Sequence, residues 1–386
     1  MIKCIKCGKV ESILKAGFLR GNQRFFCKEC KIHFIEKREI DLSNKIKKKN
    51  HQTTIIDIAQ ALGLSNSTVS RALHDHPEVN PNTRKAVMDM AAELDYQPNL
   101  LAYNLVKSQS KVIGTLVPEF YHTFFPSVII GIQEVLSKAG YNQIIMQSDE
   151  SYMNEVTNTK ILLASRIDGL LVSLTKETNN FEHFKVFEKK QIPMVFFNRV
   201  CDEINAPKII VDDYSGAFQA VEHLISNGNK RIAHLAGPPN LLLSQQRLRG
   251  YKDALKKYNL PIENDLIIHS DLTEGKARIY GNYLLELPNP PDAIFAVNDP
   301  SAIEIILLAR SKGIKIPEQL AIVGFSDDPI AAFIEPGLTT IAQPTQEIGK
   351  VAAQTLLNSI NSESVISKSI VKTLDVKLVV RGSSGS

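Results

Sequence analysis

The chain has 386 residues, of which 44% are apolar and 22% charged, and a formal net charge of +4. That length exceeds one simple core and implies two or three domains. No apolar run approaches the ~18 residues of a membrane span, and the start, MIKCIKCGK, has no apolar stretch of the kind that signals secretion, so a cytoplasmic protein without a membrane partner is expected.

Charge is uneven along the chain. Residues 1–50 hold 14 Lys/Arg and 5 Asp/Glu, a balance of +9, so residues 51–386 sum to −5. A basic front on a mildly acidic body suits either a polyanion partner for the front or a solvated basic tail. Residues 1–35 also hold four of the five cysteines, with Cys4, Cys7, Cys27 and Cys30 spaced C-x2-C-x19-C-x2-C. Each CxxC turn presents two sulfurs to one ion. Two such turns joined by a hairpin predict a closed tetrahedral site for one structural zinc per chain. So short a segment buries too little apolar surface to fold alone, and the metal would supply the missing free energy. His33 is a possible substitute ligand, although four thiolates complete the set. The stretch GNQRFFCKECKIHF (21–34) resembles the zinc ribbons that open some insertion-sequence transposases, through its Gly-x-Gln-Arg-aromatic lead and Phe34. The resemblance implies a module that contacts nucleic acid or protein, with Arg20, Arg24, Lys28 and Lys31 available to phosphates. Residues 36–52, EKREIDLSNKIKKKNHQ, read as a basic linker.

Residues 53–98 show helical periodicity. Thr54 caps a helix with Ile55, Ile58, Ala59 and Leu62 on one face, and Gly63 ends it. Ser65 caps a second helix with Val69, Ala72 and Leu73 inward. Asn82 or Thr83 opens a third, with Val87, Met90, Ala91 and Leu94 inward. Two short helices joined through glycine predict a helix-turn-helix whose second helix fits the major groove. Asn66, Ser67 and Thr68 then meet base edges, and Ser70 and Arg71 lie nearer the backbone. A small helical bundle with polar caps is the plainer alternative.

The motifs D-I-A-x-x-L-G-L-S-x-S-T-V-S-R-A-L (57–73), P-x-T-R-x-x-V (81–87) and Y-x-P-N-x-x-A (96–102) resemble the LacI/GalR family of bacterial transcription regulators, and the resemblance continues to LVVRG (378–382). It implies a hinge helix and linker at 99–110 that folds on DNA against the hinge of a dimer mate. Asn99 and Ala102 belong to that contact set, and Leu105 is the minor-groove wedge. Tyr103 stands where many members have arginine. The implied partners are double-stranded operator DNA, a second copy of the chain and a small effector, with repression as the expected sign.

From Lys111 onward, short apolar runs (VIGTLVP, QIIMQ, GLLVSL, MVFF, IIV, IAHLAG, LIIHS, AIFAV, AIVGFS) alternate with amphipathic helical stretches. That is the pattern of βαβ units, and its length predicts two doubly wound α/β lobes over 111–386. The family resemblance implies a periplasmic-binding-protein-like body with an effector cleft, the effector being a sugar or sugar derivative. Its N-lobe is expected at 111–211 and 341–370, and its C-lobe at 212–340 with the final strand. Carried over by motif, the effector set is Phe124 and Phe125, Asn198 and Arg199, Arg247, Asn298 and Asp299, and Ser326. Asn198 and Ser326 are neutral where the family has aspartate, and Asp327 comes one place late. The fold class expected is therefore multidomain: zinc ribbon, all-α DNA-binding head and two-lobed α/β body. No nucleotide, nucleophile-elbow or metalloprotease motif is present, so no enzyme is expected. The alternative function is a carbohydrate-binding α/β protein with accessory basic modules.

Overall fold

The computed structural model describes residues 2–4, 6–19, 22–35, 53–97, 109–362 and 370–385. The linker 36–52, Arg20 and the hinge residues Asn99, Ala102, Tyr103 and Leu105 lie outside the described residues. The chain divides into two units, Met1–Asn99 and Leu100–Ser386.

The first unit opens with three antiparallel strands in the order β1 (Ile13–Leu19), β2 (Asn22–Cys27) and β3 (Ile32–Ile35). Period-two alternation along β2 buries Phe25 and Cys27, which pack with Cys4 and Phe34. Three helices follow: α1 (Ile55–Leu62), α2 (Asn66–Leu73) and α3 (Pro81–Glu93). Gly63 ends α1 at φ 65°, a left-handed turn that glycine takes at no steric cost. Ile58, Ala59, Val69, Ala72, Val79, Val87 and Ala91 form the core, as the periodicity requires. The third helix starts earlier than expected. Its cap is Asn80, whose side chain accepts from the Asn82 N–H at 2.9 Å, rather than Asn82 or Thr83. Pro81 fixes the first helical φ and so moves the start upstream.

The second unit begins with β4 (Val112–Val117), α4 (Phe124–Lys138), β5 (Asn142–Gln147), α5 (Tyr152–Ala164), β6 (Gly169–Val172), α6 (Glu182–Lys189), β7 (Met194–Phe197) and β8 (Lys208–Val211). The chain then crosses to a second lobe. There it forms α7 (Asp213–Ser226), β9 (Ile232–Ala236), α8 (Leu242–Lys257), β10 (Ile267–His269), α9 (Glu274–Leu285), β11 (Ala293–Ala296), α10 (Asp299–Ser311), β12 (Ala321–Ser326) and β13 (Thr339–Ala342). It returns for α11 (Thr345–Asn361) and β14 (Val371–Leu374), and ends in the second lobe with β15 (Lys377–Val379). The sheets run β14-β8-β7-β6-β4-β5 and β10-β9-β11-β12-β13-β15. Every pairing is parallel except β13 with β15. Apolar clusters cover both faces of each sheet, as parallel strands demand.

Two lobe boundaries differ from the expectation. Residues up to Ala342 belong to the second lobe, because β13 pairs with β12. Val371–Leu374 belong to the first lobe, because β14 extends its sheet beside β8. In the first lobe α4 and α11 touch backbone to backbone. A Cβ at Gly131 would meet the Gln346 carbonyl, and one at Gly349 would meet the Val128 carbonyl. Among the described residues no helix is long and apolar enough to cross a membrane.

Candidate functional site

Three groups of side chains stand out. The first is the cysteine tetrad. The Sγ atoms of Cys4, Cys7, Cys27 and Cys30 all lie within 4.8 Å of one another. Cys7 and Cys27 are 3.8 Å apart, and the edge of a tetrahedron with 2.3 Å metal–sulfur bonds is about 3.8 Å. The backbone N–H of Cys7 draws the Cys4 thiol down to about 7, while hydrogen bonding to the Cys7 thiol pushes Cys30 up to about 12. Four thiols this close cannot all ionise without a cation among them, so the donor set fits a metal ion. His33 packs against Phe26 instead, the rings tilted at 44° with 4.7 Å between centroids.

The second group is the N-terminal turn of α2. The Ser65 hydroxyl accepts from the Thr68 N–H at 3.1 Å and lies 2.9 and 2.8 Å from the Ser67 and Thr68 hydroxyls. The cap therefore leaves a cluster of polar groups on the surface, with Asn66 exposed beside it. One turn further along, Arg71 faces Glu78 at 3.7 Å with more than half of its side chain exposed. Thr54 caps α1 through Asp57, whose carboxylate accepts from the Thr54 N–H at 2.8 Å and hydroxyl at 2.7 Å.

The third group lines a cleft of about 780 Å³ between the lobes, at the carboxyl ends of both sheets. Phe124, Phe125, Asn198, Arg199, Arg247, Asn298 and Ser326 all line it. Phe124 and Phe125 meet edge to face at 5.1 Å. Arg199 lies over the Phe125 ring and binds both Glu150 carboxylate oxygens at 2.8 Å. Arg247 projects from α8 and is buried. Its Nε and a terminal nitrogen bind Asp213 Oδ1 at 2.8 and 2.7 Å, a further nitrogen reaches the Val297 carbonyl, and its carbon sits 3.5 Å from the Phe325 ring centre. Burial pushes the Asp213 carboxyl up, against the pull of Arg247.

Asp299 does not reach the cleft. It is fully buried behind the floor, accepting from the Thr340 hydroxyl at 2.5 Å and the Asp328 N–H at 2.7 Å, and burial pushes its carboxyl up to about 6. Its part is to hold the loop that carries Asp327 and Asp328. Asp327 lines the cleft but is tied to Arg381 at 2.7 Å.

Several lining groups belong to none of the sequence motifs. Thr123 Oγ1 donates to Asp328 Oδ2 at 2.7 Å, and Lys176 Nζ donates to the Asp271 carbonyl at 3.1 Å, so each bond links the lobes. His122 lies 3.3 Å from Glu119 and 3.9 Å from Glu274 on the opposite lobe. Hydrogen bonding to Glu119 raises the His122 pKa. Burial alone would push Glu119 up, but its bonds to His122 outweigh that and leave it lowered. The available signal was position, since Asp149, Glu150 and Lys176 closely follow strand runs. Six lining residues, Asp149, Glu150, Asn198, Leu272, Ser326 and Asp327, adopt positive φ. Such conformations are strained for residues with a Cβ and gather at sites that must aim a side chain.

Comparisons with known proteins agree with this architecture. The family described as "Bacterial regulatory proteins, lacI family" matches residues 54–99, and "Periplasmic binding protein-like domain" matches residues 221–384. The HTH-type transcriptional repressor CytR of Escherichia coli K12 is 33% identical over 339 residues, spanning 88% of this chain and 98% of the relative. A solved complex of the transcriptional regulator CelR with cellobiose superposes with a TM-score of 0.66 at 27% identity, covering 86% of this chain and all of the other. The lac repressor dimer bound to operator, at 24% identity and a TM-score of 0.76, shares the fold over 87% of this chain and 100% of its own. The cysteine segment lies outside both family matches. With the DNA-binding signature at 54–99 and a repressor aligned along nearly its whole length, the chain belongs to the lacI family of bacterial regulatory proteins, DNA-binding transcription regulators rather than enzymes.

Proposed function

We propose that the protein is a cytoplasmic, homodimeric repressor that reads a near-palindromic operator and changes its DNA affinity when a small carbohydrate-like effector occupies the cleft. The observation that carries this reading is the pairing, in one chain, of a capped, polar N-terminal turn on α2 with a two-lobed cleft lined by aromatic and amide side chains. The cellobiose complex of the regulator CelR supports a sugar-class effector, and the operator-bound lac repressor dimer supports two-fold binding. Asn66, Ser67 and Thr68 read bases; Thr54, Ser65, Ser70 and Arg71 anchor the head to the sugar-phosphate backbone. Asn99, Ala102 and Leu105 form the minor-groove hinge, with Leu105 the wedge. Phe124, Phe125, Asn198, Arg199, Arg247, Asn298 and Ser326 hold the effector, and Asp299 supports the floor.

The domains in this reading are a zinc ribbon at 1–35, a basic linker at 36–52, the reading head at 53–98, hinge and linker at 99–110, and the effector and dimerisation body at 111–386. Zinc suits the ribbon because four thiolates in a closed set prefer it and leave no open position for chemistry. The linker of 17 residues spans roughly 20–25 Å as a flexible coil, enough for the ribbon to add phosphate contacts flanking a half-site. Selecting and sequencing the DNA captured by the purified protein tests the main reading, which fails if no two-fold motif is enriched. Deleting residues 1–50 should then flatten the salt dependence of binding by about one unit of slope per lost phosphate contact, with sequence preference unchanged. A truncated protein that keeps the full slope favours a protein partner for the ribbon instead.

A further inference from the structure

The cations of the cleft are paired, and several of its amide groups are not. Seven carboxylates line it against three permanent cations. Each cation is already engaged by a carboxylate of the protein: Arg199 by Glu150, Arg247 by Asp213 at its back, and Lys176 by Asp271 at 3.9 Å together with that residue's carbonyl. An incoming phosphate or carboxylate would therefore meet a surplus of negative charge, because each of the three cations is paired with a carboxylate and, of their buried nitrogens, only the Nε of Arg199 is left without a hydrogen-bond partner among the described residues. Desolvating an anion without a partner is costly, and like charges at close range add to the cost.

The amides present the opposite case. Among the described residues the Asn198 side chain, held at φ 58° on the cleft wall, makes no hydrogen bond. Asn298 uses its carbonyl oxygen to cap α10 through the Ser301 N–H at 3.0 Å, and its NH2 has no partner among the described residues. Gln343 donates to Ser326 at 3.0 Å, while its own carbonyl oxygen is buried without a partner. Free neutral donors and acceptors on opposite walls match hydroxyl or amide groups, which donate and accept at once. A buried, unpaired amide oxygen is a penalty that a hydroxyl donor would remove.

We propose that the cleft selects an uncharged polyhydroxyl molecule and rejects its phosphorylated or carboxylated counterparts. The proposal rests on reading the cleft as the effector site and narrows the effector's class. It assigns Glu150 a specificity role: by occupying Arg199 it withholds from an anion the guanidinium that would bind it best. The two neutral replacements, Asn198 and Ser326, belong to the same design, since they supply hydrogen bonding without further charge.

The test is calorimetry on the full chain, wild type and Glu150→Gln, with inorganic phosphate and ribose 5-phosphate as probes. Glu150→Gln keeps the side-chain shape and frees Arg199. The variant is expected to bind both anions about 100-fold more tightly than wild type, the factor set by exchanging a repulsive setting for a charge-assisted one. Equal affinity in the two proteins, including no measurable binding by either, overturns the proposal, as does tight anion binding by wild type. If circular dichroism shows Glu150→Gln unfolded, Asp271→Asn replaces it, since it frees Lys176 by the same logic. The effector reading is tested separately, on the DNA site obtained by selection. A gain of anion binding in the variant, with no neutral sugar altering DNA affinity in wild type, sinks the effector reading and leaves the charge result standing.

Discussion

Replacing Arg247 with methionine tests the most tightly built part of the cleft. The guanidinium is buried, makes two bonds to the equally buried Asp213, reaches the Val297 carbonyl and stacks on Phe325. Methionine fills much of the volume but leaves the Asp213 carboxylate without a cation. Breaking a buried pair from one side costs about 3–5 kcal/mol, most of it the orphaned charge and not the lost attraction. Adding Asp213→Asn to the same background removes that charge and should recover a good part of the loss. The pH dependence has a defined sign. Burial already raises the Asp213 carboxyl, and without Arg247 it rises further. A raised folded-state pKa favours the folded form at low pH and disfavours it above, so the deficit of the single variant should narrow as pH falls from neutral toward the carboxylate range. Urea unfolding of wild type, Arg247→Met and the double variant at two pH values measures all of this. A single variant within about 1 kcal/mol of wild type at neutral pH, or a deficit indifferent to pH, refutes the ion-pair account. In the folded fraction, effector response should be lost while effector-free DNA binding persists.

Three further outcomes are expected. Cys27→Ser should lose about one zinc per chain together with the strand signal of residues 13–35, read by metal analysis and hydrogen exchange; a wild-type preparation without zinc, reduced and never chelated, rules the metal out. Ser65→Ala should cost about 1 kcal/mol of helix stability through the lost cap and weaken specific DNA binding more than nonspecific binding, read by fluorescence anisotropy on matched and scrambled duplexes. His122 has a raised pKa, chiefly through Glu119 with Glu274 and Asp328 adding. Its contribution is fully present below its ordinary value of 6.5 and is lost as pH rises through the higher folded value. The melting temperature should therefore fall between pH 6 and 8, and His122→Gln should flatten the curve; parallel curves count against it.

Element type was legible wherever pattern was strong. Each of the nine apolar runs from VIGTLVP to AIVGFS became a strand; the inner strands are apolar because both their faces are covered, while the edge strands β5 and β10 keep exposed positions. Strands β13 and β14 carry no such apolar signal. TTIA and VKTL carry polar residues, and the two threonines of β13 are buried only because Thr339 and Thr340 spend their hydroxyls on the Arg381 carbonyl and Asp299. Such partners lie about 41 positions away and leave no local trace. The same distance effect hid the state of the cleft. Motif singled out Arg247 and Arg199, and both line the cleft, but nothing near either one in sequence announces Asp213 or Glu150, so their pairing is visible only in the fold. Asp299 shows the converse. Adjacent to Asn298 in sequence, it points the other way at the start of α10 and serves the loop behind.

The chain's route between the lobes bears on the order in which the protein becomes competent during synthesis. The first lobe takes five strands from residues 112–211 but borrows α11 and β14 from residues 345–374. Its core joins Ile348, Ala352 and Leu356 to Val128 and Ile132, so it stays open on one side until nearly the whole chain has left the ribosome. The reading head at 55–93 needs only its own neighbours, and local contacts close fastest. A nascent chain thus carries a formed head well before it carries a cleft. Truncation anywhere before β14 would free DNA-binding heads from the lobe meant to govern them. The late return of the chain means that the first lobe, unlike the head, cannot close before α11 and β14 are made.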